Sequence, residues 1–251
     1  MKTALRVIGA VTLLALVFLA ALLSLDIMRP LRVRWSNKII ESNPQAVTDA
    51  FAILFHSRGE ETYNGLRWFG VPIQKNPMDL LVYQEILYDL KPDVVVECGT
   101  FKGGSALFLA HMMDALGKGR ILTIDIEKYP NLPEHPRITY LLGSSTAPEI
   151  VARVKSSIKP GETVLVLLDS NHTKEHVLNE LHLYNSIVTP GSYIVVEDTD
   201  MNGHPILPKA GPGPWEAAEE FLKENHDFAI DPEREKLMLT FNPHGYLKRK
   251  M

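Results

Sequence analysis

Acidic side chains follow four short apolar runs of the sequence. Glu97 closes the run VVVE, Asp125 lies in ILTIDI, Asp169 follows VLVLL, and Glu197 and Asp198 follow YIVV. Carboxylates gathered in a cleft repel one another and tend to gain protons unless a cation neutralises them. Oxygen ligands suit Mg²⁺ or a similar hard divalent ion. If the last two runs are neighbouring strands, Asp169, Glu197 and Asp198 predict a metal site; the alternative is acidic loop residues paired with Lys or Arg.

A glycine-rich turn follows the first run, in the segment ECGTFKGGS. Gly99 permits a tight turn, and Gly103 and Gly104 allow the backbone to approach a ligand closely. The spacing matches neither the dinucleotide pattern nor a P-loop, so no pyrophosphate is indicated. An acid followed by glycines suits a ligand with an amino group and a nucleoside, whose ribose hydroxyls Asp125 could bind. The alternative is a turn that serves only helix–strand packing.

Two histidines follow the run VLVLL, after Asp169. His172 and His176 are four residues apart and share a face of the predicted helix. A histidine titrates near neutral pH and can act as a general base. We therefore predict that Asp169 or His172 accepts a proton, whereas His176 is as well explained by capping or packing.

Strands and helices must alternate to bring these residues together. Continuous apolar runs of this length are typical of strands buried on both faces of a parallel sheet. The predicted strands are Val94–Glu97, Ile121–Ile126, Ile138–Leu142, Val164–Leu168 and Tyr193–Val196, with helices at about 77–89, 104–116, 147–158, 173–188 and 214–225. This order predicts an α/β fold with a mostly parallel, doubly wound sheet. Asp227–Asp231 and Leu237–Phe241 are predicted to form an antiparallel pair at its edge.

Charge and cysteine content exclude several functions. The chain has 251 residues and a net charge of −4, and residues 41–251 hold 20 basic and 29 acidic residues. An acidic body argues against a nucleic-acid groove, which needs clustered basic residues. The single cysteine, Cys98, excludes an intramolecular disulfide framework and a thiolate-rich zinc site.

The N-terminus predicts a membrane anchor. Residues 7–25 are 19 consecutive uncharged, mostly apolar residues, close to the number that a helix needs to cross a bilayer. A cleaved signal peptide, with its shorter apolar region, is the alternative. We expect a flank at 1–6, a transmembrane helix at 7–25, a basic juxtamembrane and linking segment at 26–60, and a catalytic domain at 61–251. The basic residues after the helix favour a cytoplasmic body on a single-pass membrane protein.

The glycine turn, the acid after the second strand and the acidic cluster together resemble class I S-adenosylmethionine-dependent methyltransferases. More specifically, the chain resembles the cephalosporin hydroxylase/rhamnosyl O-methyltransferase family. The matching segments are Trp68–Asp79, Val96–Ser105, Leu168–Leu181, Gly191–Asp200, Gly211–Leu222 and Glu235–Leu247.

The resemblance implies a Rossmann-like methyltransferase fold that binds S-adenosylmethionine and Mg²⁺. It implies that Val71–Lys75 covers the cofactor and that Gly211–Trp215 forms part of the acceptor wall, although Trp215 could equally belong to the core. The metal ligands implied are Asp169, Glu197 and Asp198, as above. The cofactor-binding residues implied are Lys75, Glu97, Gly99, Thr100, Gly103, Ser105, Asp125 and Asp169.

The expected function is Mg²⁺-dependent O-methylation of a hydroxyl, on a small molecule or on a sugar of a glycolipid or surface glycan. Two alternatives come from other classes: a non-catalytic, membrane-anchored binding protein that retains the fold, and a metal-dependent hydrolase. Only a methyltransferase requires S-adenosylmethionine for turnover. The acceptor's identity and self-association are left open by the sequence.

Overall fold

The structure, a computed structural model, describes Leu19 and residues 29–251. The predicted membrane segment 7–25 therefore lies outside the described residues, apart from Leu19, and stays a prediction. Within the described part of the chain, no helix is both long and apolar enough to span a bilayer. Residues 51–251 form one compact unit.

Within residues 29–251, two helices precede the sheet in the chain. The helices are α1 Arg29–Ser42, α2 Pro44–Ser57, α3 Pro77–Leu90, α4 Gly104–Leu116, α5 Pro148–Ser157, α6 Lys174–Tyr184 and α7 Pro214–Glu224. The strands are β1 Arg67–Trp68, β2 Val71–Pro72, β3 Val94–Cys98, β4 Arg120–Asp125, β5 Ile138–Leu142, β6 Val164–Leu168, β7 Tyr193–Val196, β8 Phe228–Ile230 and β9 Tyr246–Arg249. Short 3₁₀ turns lie at Gly59–Glu61, Tyr63–Gly65, Asn185–Ile187 and Pro232–Glu235.

In the described part of the chain, seven strands form the main sheet, in the order β5-β4-β3-β6-β7-β9-β8. The first five are parallel, and β9 runs antiparallel to both β7 and β8. The predicted α/β fold and its five parallel strands are confirmed. The order places β6 beside β7, so the residues that follow these two strands emerge at one edge.

The predicted antiparallel edge pair is wrong in its second member. Strand β8 pairs with β9, and residues 237–241 form no strand. That segment bonds elsewhere: the Phe241 N–H donates to the buried Asp79 carboxylate at 2.9 Å, and the Phe241 carbonyl accepts from the Asp200 N–H at 3.1 Å. The apolar alternation of this segment therefore serves to bridge α3 and the loop after β7.

The core lies on both faces of the sheet, because side chains alternate along each strand. On β3, Val94, Val96 and Cys98 pack against α5, α6 and α7, whereas Val95 packs against α3 and α4. All four side chains are fully buried. Helices on both faces confirm the doubly wound arrangement and leave the carboxyl ends of the strands open as a shared edge.

Gly99 sets the distance between β3 and β6 at that edge. Its φ is +100°, and a Cβ atom there would lie 1.8 Å from the backbone oxygen of Asp169. The Asp169 N–H in turn donates to the Cys98 carbonyl at 2.8 Å. Only glycine combines this backbone conformation with so close an approach.

We predict that Gly99→Ala lowers the free energy of unfolding by about 3 kcal/mol or more, because left-handed strain adds to overpacking against backbone. Gly161→Ala is the matched control: Gly161 has φ +84° but no atom within 4 Å of an added Cβ. It should cost only about 1 kcal/mol. Urea denaturation measures both, and equal losses would show that the contact with Asp169 is unimportant.

Candidate active site

A cleft of about 570 Å³ opens at the carboxyl ends of β3 to β6. A volume of this size accommodates a small-molecule ligand or cofactor. Of the predicted cofactor-binding residues, Gly99, Asp125 and Asp169 line it. The other lining residues are Phe101, Ile124, Ile126, Glu127, Tyr129, Gly143, Ser144, Ser145, Ser170, Asn171 and His176.

Glu97 lies below the lining rather than in it. The side chain is almost fully buried, and Thr123 donates a 2.6 Å hydrogen bond to its carboxylate. Thr123 is joined to Thr100 by a second hydroxyl contact of 2.6 Å. Burial raises the pKa of Glu97 to about 7, against the donors Ser105 and Thr123, which lower it. Glu97, Thr100 and Ser105 therefore form a polar layer beneath the cleft.

Asp125 organises the glycine turn. Its Oδ2 accepts hydrogen bonds from the backbone N–H groups of Thr100 at 3.0 Å and Phe101 at 2.8 Å, and its Oδ1 accepts from Glu127 at 2.9 Å. Asp125 also lines the cleft. Asp125 thus stabilises the turn directly, and its role toward a ribose stays a prediction.

Gly103 has a packing role in addition to any contact with a ligand. Its φ is +79°, and an added Cβ would lie 2.7 Å from Cδ of Pro133. This close approach favours the alternative that Gly103 serves local packing. The residue does not contribute to the cleft lining.

The opposite wall of the cleft is held by a glutamate that the sequence analysis missed. Glu180 is fully buried on α6 and accepts hydrogen bonds from Ser145 and, at 2.7 Å, from Ser170. His176 lies 3.4 Å from the same carboxylate oxygen. Ser145, Ser170 and His176 all line the cleft, so Glu180 fixes three side chains of this wall. The spacing of His176 and Glu180, one turn apart, was the available signal.

A cluster of possible metal ligands lies at the edge of the cleft. Ligand atoms of Asp169, His172 and Asp198 lie within 4.8 Å of one another. His172 Nε2 is 3.3 Å from Asp198 Oδ2 and 3.8 Å from Asp169 Oδ1. Two carboxylates and an imidazole fit a divalent cation whose remaining positions are filled by water or a ligand.

The third residue of this cluster differs from the prediction. Glu197 is almost fully buried, and its carboxylate pairs with the ammonium of Lys75, which also pairs with Asp169. Burial and the charge of Asp169 raise the pKa of Glu197 to about 7, against the opposing effect of Lys75. His172, rather than Glu197, therefore completes the cluster. Lys75 pairs with both acids and partly neutralises them, and its predicted role in cofactor binding stays a prediction.

A second, smaller cavity of about 70 Å³ lies on the other side of Asp198. Asp198 lines this cavity and Asp169 lines the larger cleft, so the cluster stands between the two spaces. Asp200 also lines it, and burial, followed by the charges of Asp198 and Asp79, raises the pKa of Asp200 to about 9. The other lining residues are His56, Tyr63, Gln74, Met201, Ile206, Leu207 and Phe241.

Trp215 belongs to neither space. Its ring is stacked between His204, at 4.2 Å between ring centroids, and His244, at 4.4 Å. Pro214 occupies the first turn of α7, as its type favours. The stack fixes the loop before α7 and favours the structural alternative for Trp215.

Comparison with known proteins shows the family of the chain. The family model "Rhamnosyl O-methyltransferase/CmcI" matches residues 60–250. The chain belongs to this family. A rhamnosyl O-methyltransferase of Mycobacterium leprae is 37% identical over 228 residues, covering 87% of this chain and 99% of that protein. One from Mycobacterium bovis BCG is 38% identical over 213 residues, covering 80% and 86%.

Solved structures of CmcI share the fold of this family member. The apo-structure of CmcI-N160 has a TM-score of 0.60 at 19% identity, and the match covers 75% of this chain and 77% of that one. A form with Mg and S-adenosylmethionine has a TM-score of 0.59 at 18% identity, covering 75% and 78%. Family membership confirms the predicted enzyme class, a S-adenosylmethionine-dependent O-methyltransferase.

The cluster and the predicted triad can be distinguished by metal binding. We expect His172→Ala to weaken Mn²⁺ binding by about tenfold or more, since it removes a ligand atom. Glu197→Gln should change the affinity less than about twofold, because Glu197 faces Lys75. Electron paramagnetic resonance of free Mn²⁺ measures both. If Glu197→Gln strongly weakens Mn²⁺ binding and His172→Ala does not, the predicted ligand set of Asp169, Glu197 and Asp198 is correct.

Proposed function

We propose that the chain catalyses Mg²⁺-dependent methylation of a sugar hydroxyl, with S-adenosylmethionine as the methyl donor. The observation that carries the proposal is the position of the cluster Asp169–His172–Asp198 between two cavities. A cation held there would contact ligands on both sides, which is the arrangement that transfer between a donor and an acceptor requires.

The larger cleft is the proposed cofactor site. Its volume, its place at the strand ends and the glycine turn support this assignment, as does the CmcI form that holds S-adenosylmethionine. When bound, the cofactor supplies an electrophilic methyl group. Gly99 leaves the backbone open to it, and Asp125 stands where a ribose would be held. The buried layer of Glu97 and Thr100 supports the turn from beneath.

The cluster is the proposed Mg²⁺ site, in agreement with the CmcI form that holds this ion. A bound divalent cation would lower the pKa of an acceptor hydroxyl. Lys75 contributes by neutralising Glu197 and part of the charge of Asp169, which leaves His172 and Asp198 facing the ion. Asp169 and His172, both at the junction of the two cavities, stay the proposed proton acceptors.

The proposed acceptor is based on the names of the relatives, which are rhamnosyl O-methyltransferases. We therefore propose a sugar hydroxyl, carried by a glycolipid or glycan. A single-pass anchor at 7–25 with a cytoplasmic catalytic domain would bring the site to lipid-linked acceptors, and this localisation stays part of the proposal.

Calorimetric titration of residues 41–251 with S-adenosylmethionine, in Mg²⁺ and again in EDTA, tests the cofactor site. We expect binding in the micromolar range. A folded sample that binds in neither buffer would contradict the proposal and favour a non-catalytic protein or a hydrolase that turns over without this cofactor.

The metal role is tested by Asp198→Ala. We expect methyl transfer to p-nitrophenyl α-L-rhamnopyranoside to fall by about 100-fold or more, because the cation loses a charged ligand, while cofactor affinity stays within about twofold. Asp227→Ala, a largely exposed acid distant in the sheet order, is the control. Full activity of Asp198→Ala would contradict the metal role.

A further inference from the structure

Residues 241–246 hold the turn that follows β7. Four hydrogen bonds join the two pieces of chain, each with its donor among residues 196–200. They run from the Val196 N–H to the Gly245 carbonyl at 2.9 Å, from the Asp198 N–H to Oδ1 of Asn242 at 3.0 Å, from the Thr199 hydroxyl to the Pro243 carbonyl at 2.6 Å, and from the Asp200 N–H to the Phe241 carbonyl at 3.1 Å. Three of these bonds end on backbone carbonyls, which any residue offers. The bond from Asp198 ends on a side chain, so it alone of the four depends on the residue type of its acceptor.

Asn242 is fully buried, and both ends of its amide are engaged. Its Nδ2 donates to the Tyr83 hydroxyl at 3.0 Å and lies 3.5 Å from the Tyr246 hydroxyl. The Tyr246 hydroxyl donates in turn to the buried Asp79 carboxylate at 2.9 Å. Because a backbone N–H only donates, the amide oxygen must be the end that faces Asp198. The orientation of Asn242 is therefore determined by groups on α3 and β9.

Asp198 adopts a backbone conformation that needs such support. Its φ is +55°, in the left-handed region, which is unfavourable for a residue with a side chain. Residues persist in this region where the surrounding structure holds them there. In this conformation the Asp198 carboxylate lies 3.3 Å from Nε2 of His172. A return of the backbone to the extended region would move the carboxylate away from His172, and the bond to Asn242 opposes that rotation because it fixes the direction of the Asp198 N–H.

We propose that Asn242 is a positioning residue for the cluster Asp169–His172–Asp198, and that it holds Asp198 in the conformation that presents its carboxylate to a cation. The inference rests on the proposed function and deepens it, since Asn242 lines neither of the two cavities and acts through Asp198. The apparent affinity for a ligand falls with the fraction of molecules in the competent conformation. Loss of Asn242 should therefore weaken cation binding and spare the larger cleft.

Asn242→Ala removes the acceptor of the Asp198 N–H. We expect the affinity for Mn²⁺, measured by electron paramagnetic resonance of the free ion, to fall about fivefold or more, and the affinity for S-adenosylmethionine to stay within about twofold. Asn225→Ala is the matched control. Asn225 also accepts a backbone N–H, from Asp227 at 3.0 Å, but it precedes β8 at the opposite edge of the sheet.

The control should change neither affinity. Unchanged Mn²⁺ affinity in Asn242→Ala would overturn the inference. Equal losses of Mn²⁺ and S-adenosylmethionine affinity would overturn it as well, because they would show that Asn242 supports the whole fold rather than Asp198.

Amide hydrogen exchange detects the same hydrogen bond in the metal-free chain. By nuclear magnetic resonance, we expect the Asp198 N–H to exchange slowly in the wild-type chain and about tenfold or more faster in Asn242→Ala. The amide of Val195, in the middle of β7, should keep its rate. Exchange at Asp198 as fast as in an exposed loop of the wild-type chain would overturn the inference, whether or not Asn242→Ala folds.

Thr199→Val is a second variant that leaves Asn242 in place. Valine has nearly the shape of threonine and lacks the hydroxyl that bonds to the Pro243 carbonyl, so the turn is held by one bond fewer. We expect faster exchange at Asp198 and a loss of Mn²⁺ affinity of about threefold, with S-adenosylmethionine affinity unchanged. No change in either Asp198 exchange or Mn²⁺ affinity would overturn the role of residues 241–246.

The outcomes separate this inference from the proposed function. A wild-type chain that binds neither S-adenosylmethionine nor Mn²⁺ would refute the proposed function, and the inference with it. A wild-type chain that binds both, with the same Mn²⁺ affinity in Asn242→Ala, would leave the methyltransferase intact and remove only the role of Asn242.

Discussion

The buried ammonium of Lys75 is the interaction on which the site depends. It pairs with Asp169 at the end of β6 and Glu197 at the end of β7, and it stands one residue before Asn76, the N-cap of α3. Although burial opposes it, the charges of these two acids raise the pKa of Lys75, so the ammonium stays charged. Removing one partner from a buried ion pair typically costs about 3–5 kcal/mol. The start of α3 and two strand ends are therefore fixed together.

This pairing decides which acids remain available for a cation. Three carboxylates follow β6 and β7, and the Lys75 ammonium pairs with two of them, Asp169 and Glu197. Glu197 lies deepest and is taken by Lys75, whereas Asp198, with φ +55°, turns toward the opening and meets His172. The left-handed backbone at Asp198 is the local reason that two adjacent acids face different partners. The composition of the cluster thus follows from burial and backbone geometry rather than from charge alone.

The sequence predicts the strands, the helices and their order better than it predicts the contacts between side chains. Five parallel strands, the helices between them and the acids at their carboxyl ends follow from apolar runs and turn residues, because periodicity and burial are local signals. Lys75 was assigned another role because its partners are distant along the chain: Lys75 and Glu197 are 122 residues apart. Glu180 holds Ser145, which lies 35 residues away, so its place in the cleft wall follows only from the fold. The edge pair failed for the same reason, because Phe241 bonds to Asp79 rather than to β8.

The two cavities draw on different parts of the fold. The larger cleft, which is the proposed cofactor site, is built from strand ends and the turns that follow them. The smaller cavity draws on His56 and Tyr63, ahead of the sheet, and on Ile206 and Leu207 in the loop after β7. Loops vary with little cost to a packed core, so one scaffold can keep its donor site while its acceptor changes. Asp198 lies where the two meet, and it is there that an acceptor chosen by loops would reach groups positioned by the sheet.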